Sequence, residues 1–120
     1  RARRVPVNKN AFAGRNRMLF MANITVNLPG EMPAEEKERL TQAEFARAME
    51  LVKAGNLRRI WRVVGERSNF SVWEADTLEE LHAAIGSLPF HPWMQLRVTP
   101  LIEHPATQKW EAEEGPWPAL

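Results

Sequence analysis

Few side chains of this sequence are able to transfer protons. The chain has neither cysteine nor tyrosine, and it has three histidines, His82, His91 and His104. The absence of cysteine excludes disulfides, thiolate nucleophiles and cysteine-ligated zinc or iron–sulfur centres. The histidines lack the close spacing of metal-ligand pairs, so we expect no metal. Acid–base chemistry is left to the carboxylates and to these imidazoles.

Glu44 is the strongest candidate for a proton-transfer group. It lies in a predicted helix over residues 33–54, one turn from both Leu40 and Ala48, and therefore points towards the core. Burial of a carboxylate among apolar side chains disfavours its charged form, so the pKa of Glu44 should rise towards neutrality. The alternative is a salt bridge between Glu44 and an arginine of the strand that follows.

One predicted strand, residues 57–64, carries three arginines, of which Arg58 and Arg62 are candidates for binding a carboxylate. The alternation of side chains along a strand predicts Arg58 and Arg62 on one face and Arg59 on the other. The alternatives are exposed charge at the edge of a sheet, or a pairing with Glu44.

The elements that must position these groups follow from periodicity and turn signals. Strands are predicted over residues 19–28, 57–64, 69–75 and 94–102. Gly55 ends the first helix, and Asp76 or Thr77 caps a second helix that Pro89 ends. The predicted apolar stripe of the first helix comprises Leu40, Phe45, Ala48, Met49, Leu51 and Val52. The order β-α-β-β-α-β predicts an α+β, ferredoxin-like domain, with a four-stranded antiparallel sheet and two helices on one face.

The uncovered face of such a sheet needs a partner. We expect two copies to pair their sheets as a dimeric α+β barrel, which makes the cleft between sheet and helices the site for a small-molecule substrate.

Charge is unevenly distributed between the start of the chain and the rest. Residues 1–17 carry six of the 16 basic residues and no acidic residue, which predicts a basic arm or leader. The remaining chain is net acidic, which argues against nucleic-acid binding. No apolar run suggests a membrane span or a signal peptide, so we expect a cytoplasmic protein. Residues 105–120 contain three prolines, Trp110 and Trp117, and are predicted to be a tail that packs on a partner subunit.

Several stretches resemble one known family. They are MLFMANITVNLP at 18–29, NLRRIWRVVG at 56–65, SNFSVWEA at 68–75, LEELHAAIGSLPFHPW at 78–93 and EHP at 103–105. These stretches are similar to muconolactone isomerases, and the resemblance makes residues 18–104 the family domain. It implies the cofactor-free conversion of muconolactone to the enol-lactone of 3-oxoadipate in aromatic catabolism. It also implies dimers that assemble further into decamers.

The resemblance also implies a set of site residues. Glu44 corresponds to the family's glutamate, and with His104 and His91 it makes up the expected catalytic group. The residues expected to bind substrate are Arg58, Arg62, Asn69, Ser71, Phe45, Arg67 and His82. Three of these positions depart from the family pattern, because Phe45 replaces a lysine, Arg67 a tyrosine and His91 an aromatic residue.

Several of these residues have an alternative structural role. Asn69 and Ser71 can pair with neighbouring backbone, His82 can be a packed histidine, and His91 an ordinary loop residue. At the level of the whole protein, two other functions stay open. One is a cofactor-free monooxygenase of the same barrel type that acts on an aromatic or phenolic substrate; the other is a non-catalytic ligand-binding homologue.

Overall fold

The computed structural model describes residues 17–120, so the predicted basic arm at 1–17 lies outside the described residues except for Arg17. The elements are β1 (Met18–Val26), α1 (Ala34–Ala54), β2 (Leu57–Arg62), β3 (Ser68–Ala75), α2 (Leu78–Gly86), β4 (Met94–Leu101) and α3 (Pro105–Glu113). The described residues form two compact units, of which the larger ends at Leu101 and the smaller begins at Ile102. None of the helices described is long and apolar enough to cross a membrane.

The larger unit is a four-stranded antiparallel sheet in the order β2-β3-β1-β4. One face carries the core, where Phe20, Ala22 and Ile24 alternate along β1 as a half-buried strand requires. Trp73 from β3 and Leu51 from α1 are buried against them. The predicted ferredoxin-like α+β fold is therefore confirmed.

Local chemistry sets the C-terminal end of α1 and the N-terminal end of α2. Gly55 ends α1 with a φ of 88°, a left-handed conformation that glycine adopts without a steric penalty. Thr77 begins α2, and its Oγ1 accepts a hydrogen bond of 3.0 Å from the backbone N–H of Glu80. Both ends agree with the sequence prediction.

Substitution of Thr77 by Ala should lower the free energy of unfolding by about 1 kcal/mol, because one amide of the first turn of α2 loses its acceptor. Urea unfolding followed by circular dichroism measures this loss. Thr77→Ser keeps a hydroxyl at the cap and should recover most of the stability. Equal losses in the two variants would show that the cap is not the cause.

The ion pairs at the start of β1 connect Arg17 to the domain. Arg17 Nη2 lies 2.6 Å from Glu74 Oε2, and its Nη1 lies 3.0 Å from Asp76 Oδ1. Arg58 Nη1 lies 3.1 Å from the other carboxylate oxygen of Glu74. Glu74 thus joins the residue before β1 to the start of β2.

The apolar stripe of α1 differs from its prediction. Phe45, Met49 and Val52 are 59%, 64% and 54% exposed, and Leu51 is the buried residue of this helix. The side of α1 that meets the sheet is instead centred on Glu44, with Leu51 close to it on the helical wheel. The predicted stripe covered half the circumference, which is wider than the side of α1 that is buried in the described residues.

The prediction that Arg58 and Arg62 share a face is wrong. A bulge between Leu57 and Arg59 shifts the register of β2 against β3, so that Arg62 pairs with Asn69 while Arg58 lies within the bulge. An extra residue in a bulge resets the alternation of side chains along the strand. Sequence alternation alone does not reveal such an insertion.

The predicted tail at 105–120 contains a helix that was not predicted from the sequence, α3 at Pro105–Glu113. Pro105 is the first residue of this helix, where its missing N–H costs nothing. Beyond α3, Trp117 makes an edge contact with Trp110 at 6.0 Å between ring centroids. Packing of this segment on a partner subunit stays a prediction.

Candidate active site

A cavity of about 590 Å³ lies between α1 and the sheet, within the larger unit. The walls include Glu44 and Phe45 from α1, Arg62 from β2, and Asn69 and Trp73 from β3. Its volume lies in the range of small-molecule sites, and it combines mostly apolar walls with a few polar groups, as such sites do.

Glu44 is half-buried in the wall of this cavity. Its Oε1 accepts a hydrogen bond of 2.9 Å from the backbone N–H of Phe90. Burial raises the pKa of Glu44 above its usual value, and the hydrogen bond from Phe90 offsets part of that rise. Glu44 forms no ion pair with any residue that the structure describes, so nothing in this part of the chain supports the salt-bridge alternative.

The floor of the cavity carries a row of three residues from neighbouring strands. Asn69 is the register partner of Ile24 on one side and of Arg62 on the other. Directly paired residues on an antiparallel sheet have side chains about 5 Å apart at Cβ. Arg62 and Asn69 therefore present a guanidinium and an amide side by side, opposite the helix that carries Glu44.

Asn69 has an unsatisfied polar atom. Its Oδ1 is buried and has no hydrogen-bond partner in the described part of the chain. A buried polar atom without a partner costs stability, so such atoms are rare and often mark a place where a ligand or water binds. Because the two ends of an amide are assigned from their surroundings, the same position can present either an acceptor or an N–H donor. Asn69 is thus suited to hydrogen-bond a bound molecule.

The mouth of the cavity is polar and carries both signs of charge. Lys37 and Arg67 form no ion pair with the residues described, and Arg62 makes one long contact of 3.5 Å with the backbone carbonyl of Glu66. The side chain of Glu66 is occupied by a hydrogen bond of 2.9 Å from the Ser68 hydroxyl. These cations are available to a negatively charged ligand.

Two of the expected binding residues have structural partners instead. Arg58 is paired with Glu74 and does not line the cavity. Ser71 is fully buried beneath the cavity floor, and its Oγ accepts a hydrogen bond of 2.8 Å from the indole N–H of Trp73. That bond fixes the plane of the Trp73 indole, which lines the cavity. Ser71 therefore orients a wall residue and does not itself line the cavity. Of the expected substrate-binding set, Phe45, Arg62, Arg67 and Asn69 line the cavity.

None of the three histidines is among the residues that line the cavity. His82 is exposed on α2, and His91 is exposed in the short turn that follows Phe90. His104 lies in the smaller unit, where its Nδ1 accepts a hydrogen bond of 2.9 Å from the backbone N–H of Ala106 and caps α3. Catalytic roles for His91 and His104, and a binding role for His82, stay predictions.

Sequence reasoning missed two contributions to the site. Lys37 and Thr41 stand seven and three residues before Glu44, so helical spacing would have placed them on the same side of α1. The amide of Phe90, which holds Glu44, carries no sequence signal because every non-proline residue has one. No group of three or more His, Cys, Asp or Glu side chains among the residues described is arranged to hold a metal ion.

Replacement of Glu44 by Gln should stabilise the fold at alkaline pH. Burial raises the pKa of Glu44 above its unfolded value, so its contribution favours folding at acidic pH and is lost as the pH rises through the folded-state pKa. Unfolding midpoints should therefore be higher for Glu44→Gln than for the parent protein at pH about 8, and the difference should shrink towards pH about 4. A lower midpoint for the variant at alkaline pH would show that the charged form is stabilised.

Comparison with known proteins assigns the chain to a family. Residues 18–107 match the family model described as muconolactone delta-isomerase. A muconolactone delta-isomerase of Cupriavidus pinatubonensis is 38% identical over 90 residues, covering 75% of this chain and 98% of that protein. Its counterpart in Acinetobacter baylyi is 37% identical, with 75% and 94% covered. A crystal structure of muconolactone isomerase superimposes with a TM-score of 0.71 at 35% identity, over 74% of this chain and 93% of that one. The chain therefore belongs to the muconolactone delta-isomerase family.

Proposed function

We propose that this protein isomerises muconolactone, or a close relative of it, by moving a proton within the lactone ring. The observation that carries the proposal is one cavity lined by a half-buried carboxylate, Glu44, and by a guanidinium and an amide, Arg62 and Asn69. The relatives named above are muconolactone delta-isomerases, and this is the reaction that such a set of groups can perform.

The reaction needs one group to remove and return a proton. Glu44, as carboxylate, takes the proton from the ring carbon that bears the carboxymethyl arm, and the electrons move through the alkene into the lactone carbonyl. The resulting dienolate takes the same proton from Glu44 at the carbon beside the carbonyl. The double bond has then shifted, and Glu44 is a carboxylate again. A raised pKa suits both steps, because the group must accept and donate a proton with similar ease.

Arg62 and Asn69 suit the remaining two tasks. The guanidinium of Arg62 binds the carboxylate of the carboxymethyl arm by charge-assisted hydrogen bonds. Asn69, turned with its N–H towards the cavity, donates to the lactone oxygen on which negative charge develops. Arg67 adds a second cation at the mouth, where it attracts the anionic substrate.

The two alternative functions receive less support. A non-catalytic binder would hold Glu44 in a salt bridge, and Glu44 has no such partner among the described residues. A monooxygenase site for a phenol would be almost wholly apolar, whereas this cavity brings Glu44, Arg62 and Asn69 to its walls. No observation favours either function over the isomerase.

The protein is further proposed to work as a homodimer or as a decamer built from dimers. On the sheet face away from the core, Phe70, Leu19 and Trp61 remain 45%, 37% and 38% exposed in the single chain. Exposed apolar groups of this size favour an interface over solvent. Multi-angle light scattering of the purified chain should give a mass of at least twice 13.8 kDa, and a monomer at micromolar concentration would contradict this.

The activity test uses the full chain and enantiomerically pure muconolactone. Conversion is followed by the change in ultraviolet absorbance, with the shift of the ring double bond in the proton NMR spectrum as a second readout. We expect turnover without added metal or cofactor. A folded protein that leaves both enantiomers unchanged would refute the proposed function.

A further inference from the structure

The cavity is larger than the parent substrate of the family needs. A cavity of about 150 Å³ holds benzene, which has six heavy atoms, so a lactone acid of ten heavy atoms needs roughly 250 Å³. The cavity measures about 590 Å³. The cavity therefore has room for a ligand about twice the size of muconolactone.

The part of the cavity beyond Glu44, away from Arg62 and Asn69, has apolar walls. Along β2, Arg62 belongs to the polar row with Asn69, and Ile60 and Leu57 continue the same face away from it, opposite Ser71 and Trp73. On α1, Phe45 and Ala48 follow Glu44 and also line the cavity. We name the space bounded by Phe45, Ala48, Leu57 and Ile60 the apolar lobe.

The lobe offers no polar group to a ligand. Its four side chains are hydrocarbon, and the nearest polar side chain of the floor, Ser71, is buried under the Trp73 indole that it binds. A hydrated or charged substituent finds no hydrogen-bond partner on these walls, whereas an apolar substituent gains free energy when its surface leaves water. The lobe therefore selects an alkyl or aryl group.

Reaction chemistry limits where that group can be attached. The ring carbon that bears the carboxymethyl arm must keep its hydrogen, because that hydrogen is the one removed. The arm itself is directed to Arg62 at the polar end. The substituent must then be carried by one of the two alkene carbons, and its presence leaves the proton transfer and the electron count unchanged.

We propose that this protein acts on muconolactones that carry an apolar alkyl or aryl substituent on an alkene carbon of the ring, with the substituent bound in the apolar lobe. The proposal rests on the isomerase function proposed above and specifies its substrate class. Phe45 and Ile60 are 59% and 51% exposed, so one side of the lobe is open and can accept a chain longer than the cavity.

The test compares muconolactone with its propyl- and phenyl-substituted forms. Each buried methylene strengthens binding about fourfold, so kcat/KM should rise at least tenfold for the substituted compounds despite the open side. Ala48→Leu partly fills the lobe and should reduce the ratio of substituted to parent activity. Ala46→Leu adds the same side chain at an exposed position of α1 and should leave that ratio unchanged.

Calorimetric binding of the saturated lactone acids, which cannot react, separates this inference from the proposed function. If the propyl form binds tenfold more tightly than the unsubstituted form, the apolar lobe binds the substituent, whether or not the protein is an isomerase. Turnover of muconolactone with equal kcat/KM and equal binding for the substituted forms would overturn the inference and leave the isomerase function standing. Absence of both turnover and preferential binding would overturn both proposals.

Discussion

Glu44→Gln is expected to lower kcat for the proposed isomerisation by about 10²- to 10⁴-fold, the usual contribution of a positioned acid–base group. Gln keeps the carbonyl oxygen that accepts the hydrogen bond from Phe90, so the geometry of α1 and its contact with the turn after α2 should persist. It removes the group that exchanges the proton. Because substrate binding relies on other residues, KM should change little. Steady-state rates with enantiomerically pure muconolactone measure both constants.

The matched control for this substitution is Glu50→Gln on the same helix. Glu50 is exposed, pairs with Arg47 at 3.1 Å and does not line the cavity, so the control should keep full activity. The pH profile of the parent protein supplies a second check. The rate should rise with pH as Glu44 ionises, with a midpoint above the ordinary value of 4.5 because burial raises its pKa. Full activity in Glu44→Gln would remove Glu44 from the mechanism.

The fold could be predicted from the sequence almost completely, because the patterns that define its strands and helices are local. Alternation along β1, the glycine at the end of α1 and the threonine before α2 each act within one element. The errors concern features without a local signal. The bulge in β2 depends on how it pairs with β3, and the exposure of Phe45 depends on which side of α1 packs on the rest of the domain.

The candidate site was predictable to the extent that it is built on regular elements. Glu44 was found because helical periodicity placed a carboxylate on an apolar side, and the cavity lies where that argument predicts. Arg62 was named from its place on a strand and Asn69 from the resemblance, but their pairing required the strand register. The position of Arg58 was predicted wrongly for the same reason, since the extra residue of the bulge lets it pair with Glu74. The volume of the cavity is a property of packing, which no residue pattern encodes.

Substitution of Arg62 by Met should raise KM for muconolactone by about tenfold to a hundredfold, because a hydrogen bond to a charged group contributes roughly 1.5–3 kcal/mol. Met keeps an unbranched apolar side chain of similar reach and can fill the space of the arginine stem at the end of β2. The carboxymethyl arm does not change charge during the reaction, so its contact with Arg62 is equal in the ground and transition states. The loss should therefore appear in KM while kcat stays near its original value.

Arg59→Met is the matched control for that substitution. Arg59 stands on the same strand but on the opposite face, where its guanidinium lies 4.9 Å from the ring centre of Trp61. Removal of this cation changes the net charge of the protein by the same amount as Arg62→Met and leaves the cavity untouched. If both variants raised KM equally, long-range attraction by net charge would explain the effect and Arg62 would not be a direct ligand. A rise in KM that occurs only in Arg62→Met, and only for the free acid and not for its methyl ester, would place the anionic end of the substrate at this guanidinium. The lactone ring would then lie below Glu44.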